Sequence, residues 1–493
     1  MPKLFRMRFR QRDRFRKGTA MQRLGGMDYG HGPGIPLDDN LHSRAHTGQH
    51  TSEITGRFRL RDVNHGPRHS LIIPGVPQIY SAVFPPHHCV LMHSVKIAID
   101  IRRMTEFGVG TYIRNVVRTL GRLDHETTYF LIGSPAKVKE IGTLPPNFHT
   151  VPLAEPERSL KSFWEFRTVV KRLECDLVHI PNLFSVPRGL PCPYVMTVHD
   201  MLEHLSRARQ QTGFWGAWHF QFTKRVLKGA ARIFAVSNFT KIEIEKLFGI
   251  PSARIEVVYN AIDERFLHGH ASAADRQLIA ERYQVNYPFL LYAGRISPHK
   301  NVVRMIEAFS ALKTELEKDH VLPDLKLIII GDDVSGNPDL RRTVIRSGVQ
   351  NDVRFLGFVP IEVLRTFYDA AKIFVFPSLY EGFGLPPLEA MAHGTPVVTS
   401  NVSSLPEVVG NAAVLVHPEN VFEIMRALHR VLLDQPLREK MKERSYRQVT
   451  KFSWEKSVRR IMDVYQEILN TKGKAKPPGQ PASTSKKTTA GVA

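Results

Sequence analysis

From residue 95 to about residue 416, short runs of β-branched and aromatic residues alternate with stretches whose apolar positions recur every three or four residues. That alternation predicts parallel α/β architecture. Strands are expected at Val95–Ile99, Thr128–Ile132, Leu177–His179, Tyr194–Val198, Arg232–Val236 and Ile255–Val258. A polar break follows at about 268–285. The pattern then restarts with Phe289–Ala293, Leu325–Ile330, Val353–Phe355, Ile373–Phe376, Pro396–Thr399 and Ala413–Val416. Helical patterns intervene, among them Gly110–Leu123 and Val302–Leu312. Two series of about six strands predict two Rossmann-like, doubly wound parallel sheets facing each other across a ligand cleft. The expected domains are 92–275 and 276–450. A helix from Ser453 to Leu469, with Ser453 as its N-cap, is expected over 451–470 and to pack back onto the first domain.

Composition narrows the class. The chain has 493 residues, 42% of them hydrophobic, which fits a globular protein of two or three domains with substantial cores. Its three cysteines, Cys89, Cys175 and Cys192, form no C-x-x-C pair. A disulfide framework or structural zinc finger is therefore not expected, and a reducing compartment is. No apolar run reaches membrane-spanning length. With no secretory signal pattern either, a cytoplasmic protein is expected.

The net charge of +21 is concentrated at the ends. Residues 1–91 hold 14 of the 68 Lys+Arg and 6 of the 47 acids, and residues 471–493 hold five lysines and no acid. The first segment reads either as a disordered basic extension or as sequence preceding a true start at Met92. The last reads as a low-complexity tail. A nucleic-acid partner would call for a basic stripe on a recognisable module, and the pattern offers none. Attraction to an anionic membrane surface fits the balance equally well.

Candidate chemistry concentrates in Pro377-Ser-Leu-Tyr-Glu-Gly-Phe-Gly-Leu-Pro-Pro-Leu-Glu-Ala-Met-Ala-His-Gly-Thr-Pro-Val-Val398. An apolar strand enters a loop containing Gly382, Phe383, Gly384 and Leu385, and Pro386-Pro387 is suited to open a helix. Backbone N–H groups at such a helix start bind anions. Glu381 and Glu389 bracket that anion site. Two carboxylates there make poor sense for phosphate alone, and good sense if they accept hydroxyls from a ribose and a sugar.

This wording, with Ser403-Ser-Leu-Pro-Glu-Val-Val409, resembles the E-x7-E donor motif of the retaining GT-B nucleotide-sugar glycosyltransferases of family 4, group 1. It most resembles bacterial mannosyltransferases of O-antigen and exopolysaccharide assembly. The resemblance covers about residues 95–470. It implies that Arg295 and Lys300, in Tyr292-Ala-Gly-Arg-Ile-Ser-Pro-His-Lys-Asn301, grip the donor diphosphate beside Gly294. It places Gly108 and Gly110, in Phe107-Gly-Val-Gly-Thr-Tyr112, near the diphosphate and acceptor. It implies that His199, in Thr197-Val-His-Asp200, reaches the donor sugar, with Asp200 either functional or orienting the loop. It places the nucleotide base against Gly357-Phe358-Val359. Ser237-Asn-Phe-Thr240 matches a family turn that a helix N-cap explains on its own.

The resemblance also implies retention of anomeric configuration and no resident cofactor, a nucleotide sugar serving as co-substrate with GDP-mannose favoured. No Asp-x-Asp triplet is present, so no catalytic metal is expected. The implied acceptor is a saccharide or a lipid-linked chain. Trp215, Trp218 and Phe222, in the cation-rich stretch 214–228, share a helical face that is expected to be core. Phe163 and Trp164, near Lys161, Arg167, Lys171 and Arg172, repeat the theme, and both stretches also suit a headgroup layer at the inner face of the plasma membrane. Two other readings stay open: a sugar-nucleotide 2-epimerase of the same architecture, and a basic peripheral scaffold without activity.

Overall fold

The computed structural model describes residues 94–474 except 107, 154–159, 184–188, 203–213, 268 and 332–336. The readings of residues 1–91 and of the tail after 474 lie outside these, as do Phe107 and the side chains of Phe163 and Trp215. Among the described residues, thirteen strands build two parallel sheets. The first sheet comprises β1 (Lys96–Asp100), β2 (Thr128–Gly133), β3 (Phe148–Pro152), β4 (Leu177–Ile180), β5 (Tyr194–Val198), β6 (Arg232–Ala235) and β7 (Ile255–Val257). The second comprises β8 (Phe289–Ala293), β9 (Lys326–Ile330), β10 (Val353–Gly357), β11 (Ile373–Phe376), β12 (Val397–Ser400) and β13 (Ala413–Val416).

The strand orders are β3-β2-β1-β4-β5-β6-β7 and β10-β9-β8-β11-β12-β13. Each has the doubly wound pattern, with the order reversing between β1 and β4 in one sheet and between β8 and β11 in the other. Ligands of such sheets bind at those reversals, beyond the carboxyl ends of the strands. The expectation of two doubly wound parallel sheets therefore holds.

The strands read as continuous apolar runs because helices cover both faces. All five residues of Phe-Leu-Leu-Tyr-Ala in β8 are buried, as are Ile-Phe-Val-Phe in β11. The sequence pattern missed β3. Its Phe-His-Thr-Val-Pro sits at the sheet edge with three exposed residues, so it lacks a clean apolar signal.

Helix Val302–Lys318 runs a turn and a half beyond its expected end. The last helix, Trp454–Lys474, also outruns its expected limit and reaches four residues into the segment read as tail. It returns to the first domain. Trp454, Val458, Ile461, Val464, Tyr465 and Ile468 join Ile113, Val117 and Leu120 of helix Val109–Leu123 in one apolar cluster. The Trp454 indole also donates to the Ile262 carbonyl at 3.0 Å. The chain thus crosses between the domains twice, at the connector near 263–272 and again at 450–454.

One expectation about the surface fails. Trp218 is 50% exposed and stacks on Phe222, with ring centroids 5.5 Å apart, instead of filling the core. Helix Phe214–Gly229 buries Val226 and Leu227 on its packed side, so the position of Trp218 turns outward. Trp164 is 67% exposed, with the Arg167 guanidinium 5.9 Å from its ring centroid.

Candidate active site

The loop from Glu381 to Gly384, the expected donor loop, is shaped by its glycines. Gly384 is left-handed, with φ of 102°, at the N-cap of helix Leu385–Ala392, and Pro386 and Pro387 sit in that helix's first turn. Pro tolerates this place because its missing N–H has no intrahelical role there. Gly382 matters for a different reason. A Cβ on it would lie 1.8 Å from the His199 carbonyl oxygen, so only glycine lets the loop of one domain touch the β5 end of the other. Two serines fix the loop from behind. Ser404 Oγ donates to the carbonyls of Glu381 at 3.0 Å and Phe383 at 2.7 Å, and Glu381 N donates to Ser403 Oγ at 3.1 Å.

Glu381 follows β11 and Lys300 follows β8, which are neighbours at the sheet's reversal. Lys300 Nζ lies 2.6 Å from Glu381 Oε1 in a partly buried ion pair, and 5.3 Å from the Phe376 ring centroid. Arg295 is exposed in the same β8 loop. His299, between them, is held neutral: burial first, then the Lys300 charge, pull its pKa down to about 4, with Glu381 opposing and Arg295 adding. His299 also anchors the donor segment, its carbonyl accepting from Leu379 N at 2.7 Å. The sequence reading did not single it out.

Glu389 stands one turn into helix Leu385–Ala392 and accepts from the Tyr368 hydroxyl at 2.9 Å. Burial pushes its pKa up to about 7, the Tyr368 hydrogen bond opposing and Asp263 adding. Facing the loop from the first domain, His199 Nε2 lies 3.1 Å from the Pro181 carbonyl. A carbonyl only accepts, so the proton sits on Nε2 and Nδ1 keeps a lone pair for a hydroxyl donor. Burial holds this imidazole neutral, its pKa pulled down to about 4. Tyr112 braces it edge-on at 5.0 Å, and the Tyr112 hydroxyl joins Thr197, His179 and Tyr465 in a buried hydrogen-bond chain. Asp200 accepts from Leu202 N at 2.9 Å and so orients its own loop.

The other predicted positions divide. Gly108 caps helix Val109–Leu123 with φ of 74°. Gly110, in its first turn, has packing as a sufficient reason, because a Cβ there would meet the Met104 carbonyl oxygen at 2.0 Å. Gly294 closes β8, donating to the Ile330 carbonyl at 3.0 Å. Phe358 is 77% exposed beyond β10, whereas Val359 is turned into the core. Of that pair only Phe358 and the backbone are presented outward. Phe383 is likewise buried and Leu385 partly so, so neither side chain is freely presented to solvent.

Several residues that seat the two domains were not legible in one dimension. Ser237 caps helix Asn238–Phe248 as expected, accepting from Thr240 N, and it also donates to the Gly382 carbonyl at 2.6 Å. Glu407, from the second domain, accepts from Asn238 N at 3.1 Å and Phe239 N at 3.0 Å, supplying negative charge to that helix start. Tyr380 is a third bridge. It accepts from Met201 N at 3.0 Å and donates a short hydrogen bond to Glu243 Oε2. Burial pushes the Glu243 pKa up to about 7, the Tyr380 bond opposing and Asp200 adding. Only the S-x-x-T spacing gave any advance signal of this seam.

Comparison with known proteins agrees with this geometry. Residues 275–448 match the family described as glycosyl transferases group 1, and residues 108–266 match glycosyltransferase family 4. The chain is 37% identical over 246 residues to the O-antigen chain mannosyltransferase B of Escherichia coli, covering 49% of this chain and 61% of that protein. It is 30% identical over 308 residues to the serotype-specific mannosyltransferase WbdA of Escherichia coli, covering 60% of this chain and 37% of that protein. These alignments span well under the full length of either relative. The solved structure of Anabaena Alr3699/HepE in complex with UDP and glucose superposes with a TM-score of 0.61 at 18% identity, covering 76% of this chain and all of that one. The chain belongs to the group 1, family 4 glycosyltransferases and has the GT-B fold.

Proposed function

We propose that the protein is a retaining hexosyltransferase that moves mannose from GDP-mannose to a saccharide or lipid-linked acceptor in cell-surface polysaccharide synthesis. The observation that carries this is the Lys300–Glu381 pair, with Arg295 in the same loop and His199 brought against the loop through Gly382. Lys300 now spends its charge on Glu381. A diphosphate entering beside Arg295 competes for that cation and releases Glu381 to accept from sugar hydroxyls. As the bond from sugar to phosphate breaks, negative charge grows on the diphosphate, and two preorganised cations stabilise it without a metal. His199 Nδ1 accepts a sugar hydroxyl, and Glu389 accepts the ribose diol. The departing phosphate takes the acceptor's proton on the same face, so configuration is kept.

The mannosyl assignment leans on the named relatives, and the exposed Trp164, beside Arg167, together with the exposed Trp218 supports contact with an anionic headgroup layer. The test is a thermal-shift screen of GDP-, UDP-, ADP- and dTDP-sugars on the full chain, followed by NMR of the product's anomeric centre. Saturating GDP-mannose is expected to raise Tm most, and the product to be α-linked. A larger shift with another donor overturns the donor assignment, and a β-product overturns retention.

A further inference from the structure

Away from the donor loop, three side chains of metal-ligand type come together from three separate elements. Asp369 is the penultimate residue of helix Ile361–Ala370, and His393 directly follows helix Leu385–Ala392. His270 lies on the connector between the domains, just ahead of helix Ala273–Arg282. His270 Nδ1 is 2.8 Å and His393 Nδ1 3.0 Å from the same oxygen, Asp369 Oδ1. The other oxygen, Oδ2, is held by Ala271 N at 2.5 Å. One ligand atom from each of the three lies within 4.8 Å of the other two. The carboxyl and His393 are buried, while the His270 side chain is 58% exposed and leaves a way in from solvent.

We propose that His270, Asp369 and His393 form a structural site for a zinc-class divalent cation, which ties the interdomain connector to the helices beside Glu389. Two imidazoles and one carboxylate suit zinc and its neighbours, whereas magnesium and calcium call for an all-oxygen set. A zinc-class ion binds about 2.0–2.1 Å from imidazole nitrogens and carboxylate oxygens, so here it would sit between the two ring nitrogens and Oδ1, which lies 2.8 and 3.0 Å from them. The carboxyl and the two rings close around the ion while Oδ2 keeps its Ala271 partner. Outer contacts of the kind that orient metal ligands are present: the Ala271 N–H on Oδ2, and the Tyr446 hydroxyl 3.5 Å from His270 Nε2.

The site reaches the donor pocket through one residue. Tyr368 precedes Asp369, stacks on His393 at 5.8 Å between centroids, and donates to Glu389. An ion here would fix the connector against the helix that carries Glu389 while touching nothing at the reacting centre. Its role is stability and placement, so it stands apart from the proposed metal-free transfer.

The chain has 22 histidines, so weak additional binding is expected and the comparison between variants decides. Full-length protein stripped by chelator is titrated calorimetrically with Zn2+ alone. One tight equivalent is expected in the wild type, lost in His270→Ala and in Asp369→Asn, and kept in His429→Ala. The last removes a surface histidine that also pairs with a carboxylate but has no second imidazole. Zinc should raise Tm by a few degrees in the wild type and in His429→Ala only. Because Asp369→Asn could disturb packing, X-ray absorption on the wild-type zinc form gives an independent reading, with a shell of two imidazoles expected. A tight equivalent that survives in His270→Ala, no tight equivalent in the wild type, or a shell without two imidazoles each overturns the site.

Discussion

Two glutamates eight residues apart in one segment sit in opposite environments. Glu381, in the loop before the helix, is paired with the Lys300 ammonium at 2.6 Å. Glu389, on the helix flank, accepts from the neutral Tyr368 hydroxyl, and burial pushes its pKa up to about 7. In the proposed transfer, a cation-paired carboxylate exchanges its partner for a sugar once phosphate draws the cation away. A carboxylate raised by burial must first lose a proton before it accepts a ribose diol well. Residue type and spacing are shared, and the neighbours divide the roles.

The largest effects should come from the cation side. Lys300→Ala or Arg295→Ala should each lower turnover by about 10²–10³, the scale of one preorganised contact to developing charge. The double variant should lose less than the product of the singles, because both act on one diphosphate. Initial rates with a simple alkyl or lipid acceptor, without added magnesium or manganese, measure the cycle. Near-normal single variants would falsify the proposed grip. Gly382→Ala is expected to come next, at about 10² in turnover, since its Cβ cannot fit 1.8 Å from the His199 carbonyl oxygen and the loop must shift. Unchanged turnover in that variant would mean the contact with His199 does not position the reaction.

How much of this was legible in the sequence follows from what is local. Strands such as Phe289–Ala293 announce themselves because burial on both faces demands an unbroken apolar run, whereas β3 at an edge makes no such demand. Glu381, Glu389, Arg295 and Lys300 stand in motifs whose spacing is fixed by one strand–loop–helix unit each. The seam is different. Glu407 capping a helix start 169 residues away, or Tyr380 bridging Met201 and Glu243, is made by two domains meeting, and no periodicity encodes it. Trp218 was misplaced for a related reason. A helical face of aromatics reads as core, and only packing shows which side is covered.

A milder test separates the two donor-site carboxylates by pH. Ribose hydroxyls donate, so they favour ionised Glu389, and below its pKa of about 7 that form must be generated at a cost. Nucleotide affinity should therefore rise between pH 6 and 8 and level off above. Glu389→Gln should bind about ten- to a hundredfold more weakly at pH 8, as expected for losing hydrogen bonds to a charged acceptor. It should also lose the part of the pH dependence that belongs to the enzyme. Glu381→Ala should mainly lower turnover, because positioning of the sugar matters most at the reacting centre. Calorimetric titration of GDP across that range decides, and identical slopes in wild type and Glu389→Gln would sink the assignment.

The smallest expected effect asks whether burial with a tyrosine partner acts the same way at the seam. Glu243 pairs with Tyr380 as Glu389 pairs with Tyr368, and burial lifts it too, from 4.5 to about 7. Between those values the folded protein holds a proton on Glu243 that the unfolded chain has released. The contribution is thus fully present below about pH 4.5 and is lost as pH rises through 7. Glu243→Gln stays neutral throughout. Its Tm relative to wild type should climb between pH 4.5 and 7 and then stay level. Glu243 is partly exposed, so the gain should be only about 2 °C for a chain of this size. Thermal unfolding of both proteins in matched buffers measures the difference. Parallel curves across that window would mean that solvent reaches Glu243 freely, leaving Glu389 as the one carboxylate of the two whose proton is held by burial.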